Sequence, residues 1–129
     1  MAERVASLRS DTRVVALVSA GHFVSHLYTL LLPPLFVLIR DEYGVTYAKL
    51  DIAIAVFNVV SAALQTPAGF VVDRFGAWKM LVSALVLWAA AVALAGILPS
   101  FWGLVAMFAV AGLANTVFHP ADYAILSQA

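Results

Sequence analysis

The chain has no cysteine. That excludes disulfides and thiolate metal sites, and it leaves the redox compartment open. Charge is the second shortage. Asp, Glu, Lys and Arg make up 11% of the residues, against roughly 25% in a soluble domain. So little charge cannot cover the water-facing surface of a 129-residue chain, and a hydrophobic share of 64% points to the bilayer. Acidic and basic residues balance at seven each, so no bulk attraction to nucleic acid arises. No nucleophile motif, phosphate-binding loop or metal-ligand spacing is found, and no cofactor or metal is expected.

The uncharged runs mark the spans. Residues 14–39, 52–72 and 80–121 contain no Asp, Glu, Lys or Arg. A bilayer core of about 30 Å needs about 20 helical residues, so the last run is too long for one crossing. Gly96, Pro99, Ser100 and Gly103 cluster near its middle as a turn signal. The expectation is an all-α membrane protein with four transmembrane helices, at about 14–39, 49–72, 77–98 and 101–126. The basic start, with Arg4, Arg9 and Arg13, precedes an apolar run too long for a secretory signal peptide and reads as a short cytoplasmic tail.

Polar residues inside these spans fall on narrow faces. In the first helix, Ser19, His22, His26 and Thr29 share an arc of about 80°. Imidazoles facing lipid are costly, so they should face the bundle interior or a water-filled cavity. Each is either a packed, hydrogen-bonded structural residue or part of a substrate or proton path, because His titrates near neutral pH. A metal site from the i, i+4 pair lacks a third ligand nearby in sequence. Pro33-Pro34 is expected to bend the helix at the membrane mouth, before an exposed loop at Arg40-Asp41-Glu42-Tyr43-Gly44.

In the second helix, Asn58, Ser61, Gln65 and Gly69 form one row, which can join helices by hydrogen bonds. The third helix is apolar all round apart from Ser83 and Trp88, and reads as peripheral. Its small-residue spacings Ala89/Ala93 and Ala91/Ala95 offer close packing. In the fourth, Asn115, His119 and Asp122 share about 60° of arc beside Pro120. His119 and Asp122, one turn apart, can share or relay a proton, or can be a polar pair at the membrane surface. Candidate substrate or proton-path residues are therefore His22, His26, Asn58, Asn115, His119 and Asp122.

Counting Lys and Arg orients the chain. With the N-terminus inside, Arg4, Arg9, Arg13, Arg74 and Lys79 lie in the cytoplasm, and Arg40 and Lys49 lie outside. The expected location is the inner membrane, multi-pass, with the N-terminus cytoplasmic.

The loop between the second and third helices reads Gly69-x-x-x-Asp73-Arg74-Phe75-Gly76-x-x-Lys79. Gly69 permits close helix approach, Gly76 permits a tight turn with positive φ, and Asp73 at a membrane boundary wants a positive partner. This stretch resembles the loop 2–3 signature of the major facilitator superfamily, and it falls in the same loop on the same side. Gly21-His22-Phe23-Val24-Ser25-His26, Leu32-Pro33-Pro34 and Val117-Phe118-His119-Pro120 resemble a fosmidomycin-resistance-like subgroup of it. The resemblance implies a fold of twelve helices in two halves, with helices one and four lining a cavity. In the family the acidic residue of the loop latches the halves in the outward-facing state. Ala77 and Trp78 stand where the family's basic pair is usual. Many drug/proton antiporters of the superfamily carry an arginine near the position of Phe108, where this chain has no charge.

The function expected is that of a secondary transporter moving a small molecule by alternating access, with proton coupling. Four helices correspond to an incomplete N-terminal half of that fold, and the absence of a basic tail after Ser127-Gln128-Ala129 reads as truncation. The expected partners are the lipid bilayer, a small-molecule substrate, protons and the remaining C-terminal helices. A self-contained four-helix subunit or assembly factor is the alternative. A membrane-embedded enzyme using the His and Asp residues is a third reading, which no motif supports.

Overall fold

A computed structural model describes the backbone of residues 2–127 and the side chains of residues 11–127 except 32. Five helices follow one another: α1 (Ala2–Tyr43), α2 (Tyr47–Phe75), α3 (Ala77–Ile97), α4 (Phe101–Asn115) and α5 (Phe118–Leu126). No strand occurs among the described residues. Four stretches are long and apolar enough to cross a membrane: Asp11–Leu31, Tyr47–Phe75, Ala77–Ile97 and Phe101–Leu126. Large apolar side chains such as Val86 (64% exposed) and Phe70 (74%) stand on the outer surface, as a bilayer allows.

The helix ends have local causes. Thr46 caps α2, its hydroxyl accepting from the Lys49 amide, and Ser100 caps α4 by accepting from Gly103. Gly76 takes φ 93° between α2 and α3, a backbone state that L side chains rarely adopt, so two long helices reverse with one residue between them. Pro120 interrupts the helical hydrogen bonding of the fourth span without ending the span. It has no amide to donate, and its ring crowds the Thr116 carbonyl, so the chain turns at Thr116-Val117 and restarts as α5.

Three expectations change. The first helix does not start at 14 or stop at 39, because α1 runs unbroken from Ala2 through Pro33 and Pro34 to Tyr43. The tail expected at residues 1–13 is helical from Ala2 onward. The arginines Arg4 and Arg9 lie outside the described side chains. Third, α3 is less peripheral than its composition implies. Leu81, Ala84, Trp88 and Ala91 form a buried stripe against α4 and α5, while Val82, Val86 and Leu94 remain outside. Of the small-residue spacings, Ala91 is buried and Ala89 and Ala93 are exposed. Both faces of α3 are apolar, so composition does not show which one packs.

Trp88, 1% exposed, is the centre of the core. Its ring stacks on Tyr28 of α1 at 6.0 Å and meets Phe57 of α2 at 5.6 Å and Phe118 of α5 at 6.1 Å. Four helices thus converge on one indole. α4 is clamped between α2 and α3, and its backbone comes close to α2 at Gly112, where a Cβ would lie 2.7 Å from the Phe57 carbonyl oxygen. Ser61 reinforces the contact by donating to the Gly112 carbonyl at 3.1 Å.

Candidate functional site

α1 and α5 meet around a cavity of about 570 Å³. Five of its lining residues, Val18, Ser19, His22, Phe23 and His26, come from α1. His119, Asp122, Tyr123 and Leu126 come from α5. His22 and His26 are one turn apart on α1, and His119 and Asp122 are about one turn apart on α5, so each helix offers two ionisable groups to the same space.

The central contact is His22 Nδ1 to Asp122 Oδ2 at 2.6 Å. His26 Nε2 lies 3.0 Å from His22 Nε2. One proton must lie between those two nitrogens. A neutral His22 that donates from Nδ1 to the Asp122 carboxylate accepts at Nε2, so His26 donates. Read inward, His26, His22 and Asp122 form a chain of three groups from an exposed imidazole to a buried carboxylate. His119 joins from the side, its ring 5.4 Å from that of His22.

Asp122 is 7% exposed, and its Oδ1 is buried with no hydrogen-bond partner. Buried polar atoms are nearly always satisfied, and Oδ1 is the exception among the side chains of this cavity. Two hydroxyls of α1 are spent on the helix itself. Ser25 donates to the His22 carbonyl at 2.7 Å and Thr29 to the Ser25 carbonyl at 3.1 Å. Among the described residues no group of three or more His, Cys, Asp or Glu is placed to hold a metal ion.

Of the six sequence candidates, His22, His26, His119 and Asp122 come together. The other two do not. Asn58 lines a separate cavity of about 130 Å³ with Thr29, Phe57, Trp88 and Phe108. Asn115 donates to Ser61 Oγ at 3.3 Å, which makes it part of the α2–α4 joint. Asn115 ends α4, whereas His119 and Asp122 lie in α5 beyond the turn at Thr116-Val117. The pairing of Asp122 also differs from expectation. The hydrogen-bonded imidazole is that of His22, one hundred residues away, rather than that of His119 on the same helix. Nothing in the local sequence signals that distant pairing.

The loop between α2 and α3 lies apart from this cavity. Asp73, Arg74 and Lys79 are exposed, and among the described residues Asp73 has no ion-pair partner. The Arg74 guanidinium stands 5.9 Å over the Phe75 ring. Gly69 does not serve close helix approach within this chain, since a Cβ there would meet nothing within 4 Å.

The sequence profile of the Major Facilitator Superfamily matches residues 18–129. The chain belongs to this superfamily. The match takes in the cavity, the aromatic core and the α2–α3 loop, and it makes the chain a multi-pass membrane protein of a transporter family. The superfamily relatives include the probable sulfoacetate transporter of Cupriavidus necator, 34% identical over 76 residues, which are 59% of this chain and 18% of that protein. The fosmidomycin resistance protein of Escherichia coli is 25% identical over 119 residues, 87% of this chain and 28% of that protein. An inner membrane transport protein of Escherichia coli is 32% identical over 62 residues, 48% of this chain and 14% of that protein. The chain thus matches less than a third of the length of each relative. No solved structure matches it significantly.

Proposed function

We propose that these helices belong to a proton-coupled secondary transporter, in which a small molecule crosses by alternating access and the α1–α5 cavity is the polar part of its path. The observation that carries the proposal is the 2.6 Å bond between His22 and Asp122, which ties two cavity helices through titratable groups. When Asp122 is ionised, the bond is charge-assisted and holds α1 to α5. A proton on the carboxylate removes that assistance, and the proton's route out runs through His22 and His26. Uptake or release of one proton then biases how the two helices sit, which is the differential interaction that a conformational change requires.

The same reading gives Asp73 and its loop neighbours Gly69, Arg74, Gly76 and Lys79 a conformational role. Asp73 is exposed and has no ion-pair partner among the described residues, and its role is to meet a positive group elsewhere in the transporter. The excess of Lys and Arg on the segments that share a side with the N-terminus supports a cytoplasmic N-terminus in the inner membrane. Transport in exchange for protons, rather than chemistry on the substrate, fits the family.

The test is uptake by proteoliposomes that enclose a pH-sensitive dye, with sulfoacetate and fosmidomycin as the two probes. The dye should respond to a probe gradient with the unaltered protein and fall silent with Asp122→Asn. Probe movement without any proton signal would refute the coupling. Normal transport in the Asp73→Asn variant would refute the role of the loop.

A further inference from the structure

Pro33 inside α1 and Asn58 on α2 take no part in the α1–α5 cavity, yet both line the separate cavity of about 130 Å³. Thr29, Phe57, Trp88 and Phe108 complete the part of its wall that carries polar or aromatic groups. Residues of α1, α2, α3 and α4 all contribute, so the cavity lies between four helices rather than on an outer flank.

Polar groups on this wall lack protein partners, each for its own reason. Trp88 is 1% exposed, and its Nε1 is buried with no hydrogen-bond partner. Pro33 has no amide, so the Thr29 carbonyl, four residues earlier, has no donor at its usual place in the helix. The hydroxyl of Thr29 is engaged, since it donates to the Ser25 carbonyl. The Asn58 side chain has no hydrogen-bond partner among the described residues. An orphaned donor, an orphaned acceptor and an amide that offers both therefore border one space. Buried polar groups are nearly always satisfied, so a group left open on a cavity wall calls for a ligand.

Charge and chemistry narrow the ligand. No Asp, Glu, Lys, Arg or His lines the cavity. An unpaired charge inside a membrane is costly, so the ligand is neutral. Its polar part must donate to the Thr29 carbonyl and accept from the indole N–H. A hydroxyl does both with one oxygen. Three of the lining residues, Phe57, Phe108 and Trp88, are aromatic and pack on one another. The volume is close to the roughly 150 Å³ of an engineered apolar cavity that takes up benzene, so one ring fits.

We propose that this cavity binds a phenol or another single-ring alcohol, its hydroxyl donating to the Thr29 carbonyl and accepting from Trp88 Nε1–H. Asn58 supplies a further hydrogen-bonding group from α2. The bound hydroxyl joins α1, at its proline, to the indole at the centre of the core. Pro33 then has a binding role, because it frees the acceptor that the ligand uses.

Titration of the full chain in nanodiscs with 4-fluorophenol and with fluorobenzene, followed by fluorine NMR against empty nanodiscs, tests this. The phenol should bind saturably and about tenfold more tightly than fluorobenzene, which lacks the hydroxyl. Trp88→Phe keeps an aromatic ring and removes the donor. Pro33→Ala suits the helix and returns an amide to the Thr29 carbonyl. Each should bring the preference down to about threefold or less. Asn58→Trp fills the cavity from an exposed position and should abolish saturable binding of both probes, with circular dichroism unchanged. Should that variant fail to fold, Leu30→Trp, also from an exposed lining position, serves in its place. Equal affinity for the two probes would overturn the proposal, as would a tenfold preference that survives either Trp88→Phe or Pro33→Ala, or binding that survives cavity filling. So would exchange between water and the Trp88 indole proton without saturable phenol binding, which would assign the cavity to internal water.

Discussion

His22 and Asp122 stand one hundred residues apart in the chain and 2.6 Å apart in space, joining α1 to α5 through an imidazole and a carboxylate. Each helix alone places a polar pair on one face. Only their packing makes a connected chain that ends in a buried carboxylate oxygen without a donor.

Removing the carboxylate charge should separate coupling from folding. Asp122→Asn keeps the shape and one acceptor for His22, so helicity should remain as it was. Proton-coupled probe movement should drop about a hundredfold, within the 10²–10⁴ that a positioned proton-transfer group contributes. Dye response in proteoliposomes reads the loss, and circular dichroism reads the fold.

Gly112 and Gly69 should respond in opposite ways to alanine. A Cβ on Gly112 would lie 2.7 Å from the Phe57 carbonyl and 3.2 Å from Val60 Cβ. Overpacking of that kind costs about 1–3 kcal/mol. A Cβ on Gly69 meets nothing within 4 Å, so the gain in helix propensity should stabilise by about 0.5–1 kcal/mol. Denaturation in mixed micelles should show the two midpoints moving in opposite directions.

Trp88 should be the most costly single truncation in the core. It touches the aromatic rings of three other helices, and replacement by alanine should destabilise by about 3–5 kcal/mol. Trp88→Phe should cost far less, because the indole N–H is buried without a partner and its loss removes no hydrogen bond. Trp102, 75% exposed, should tolerate alanine within about 0.5 kcal/mol. Thermal unfolding followed by near-ultraviolet circular dichroism distinguishes the three.

The α2–α4 joint should show measurable coupling. Ser61 donates to the Gly112 carbonyl and accepts from Asn115 Nδ2. A double-mutant cycle of Ser61→Ala and Asn115→Ala should return about 0.6 kcal/mol, the average for such bonds in membranes. A value near zero would mean that Asn115 is held elsewhere.

Much of the architecture was legible in the chain itself. Uncharged runs separated by short charged or glycine-bearing turns dictate helices that cross a bilayer, because an unpaired backbone cannot exist there. Gly76 marks the reversal between α2 and α3, since few other residues take φ 93°. The polar faces of α1 and α5 were equally visible, because helical periodicity alone puts His22 with His26 and His119 with Asp122.

Tertiary structure decided the rest. Hydropathy counts residues along the chain and carries no information on how each helix is rotated about its axis. α3, apolar on every side, could therefore bury Trp88 or show it to lipid, and packing against α4 and α5 put it inside. Pro120 shows the same limit. The residue announces a break, but only the folded chain shows that Asn115 is bonded to Ser61 of α2 while His119 and Asp122 line the cavity with α1. The partner of Asp122 is a matter of where two distant helices cross, which no local pattern encodes.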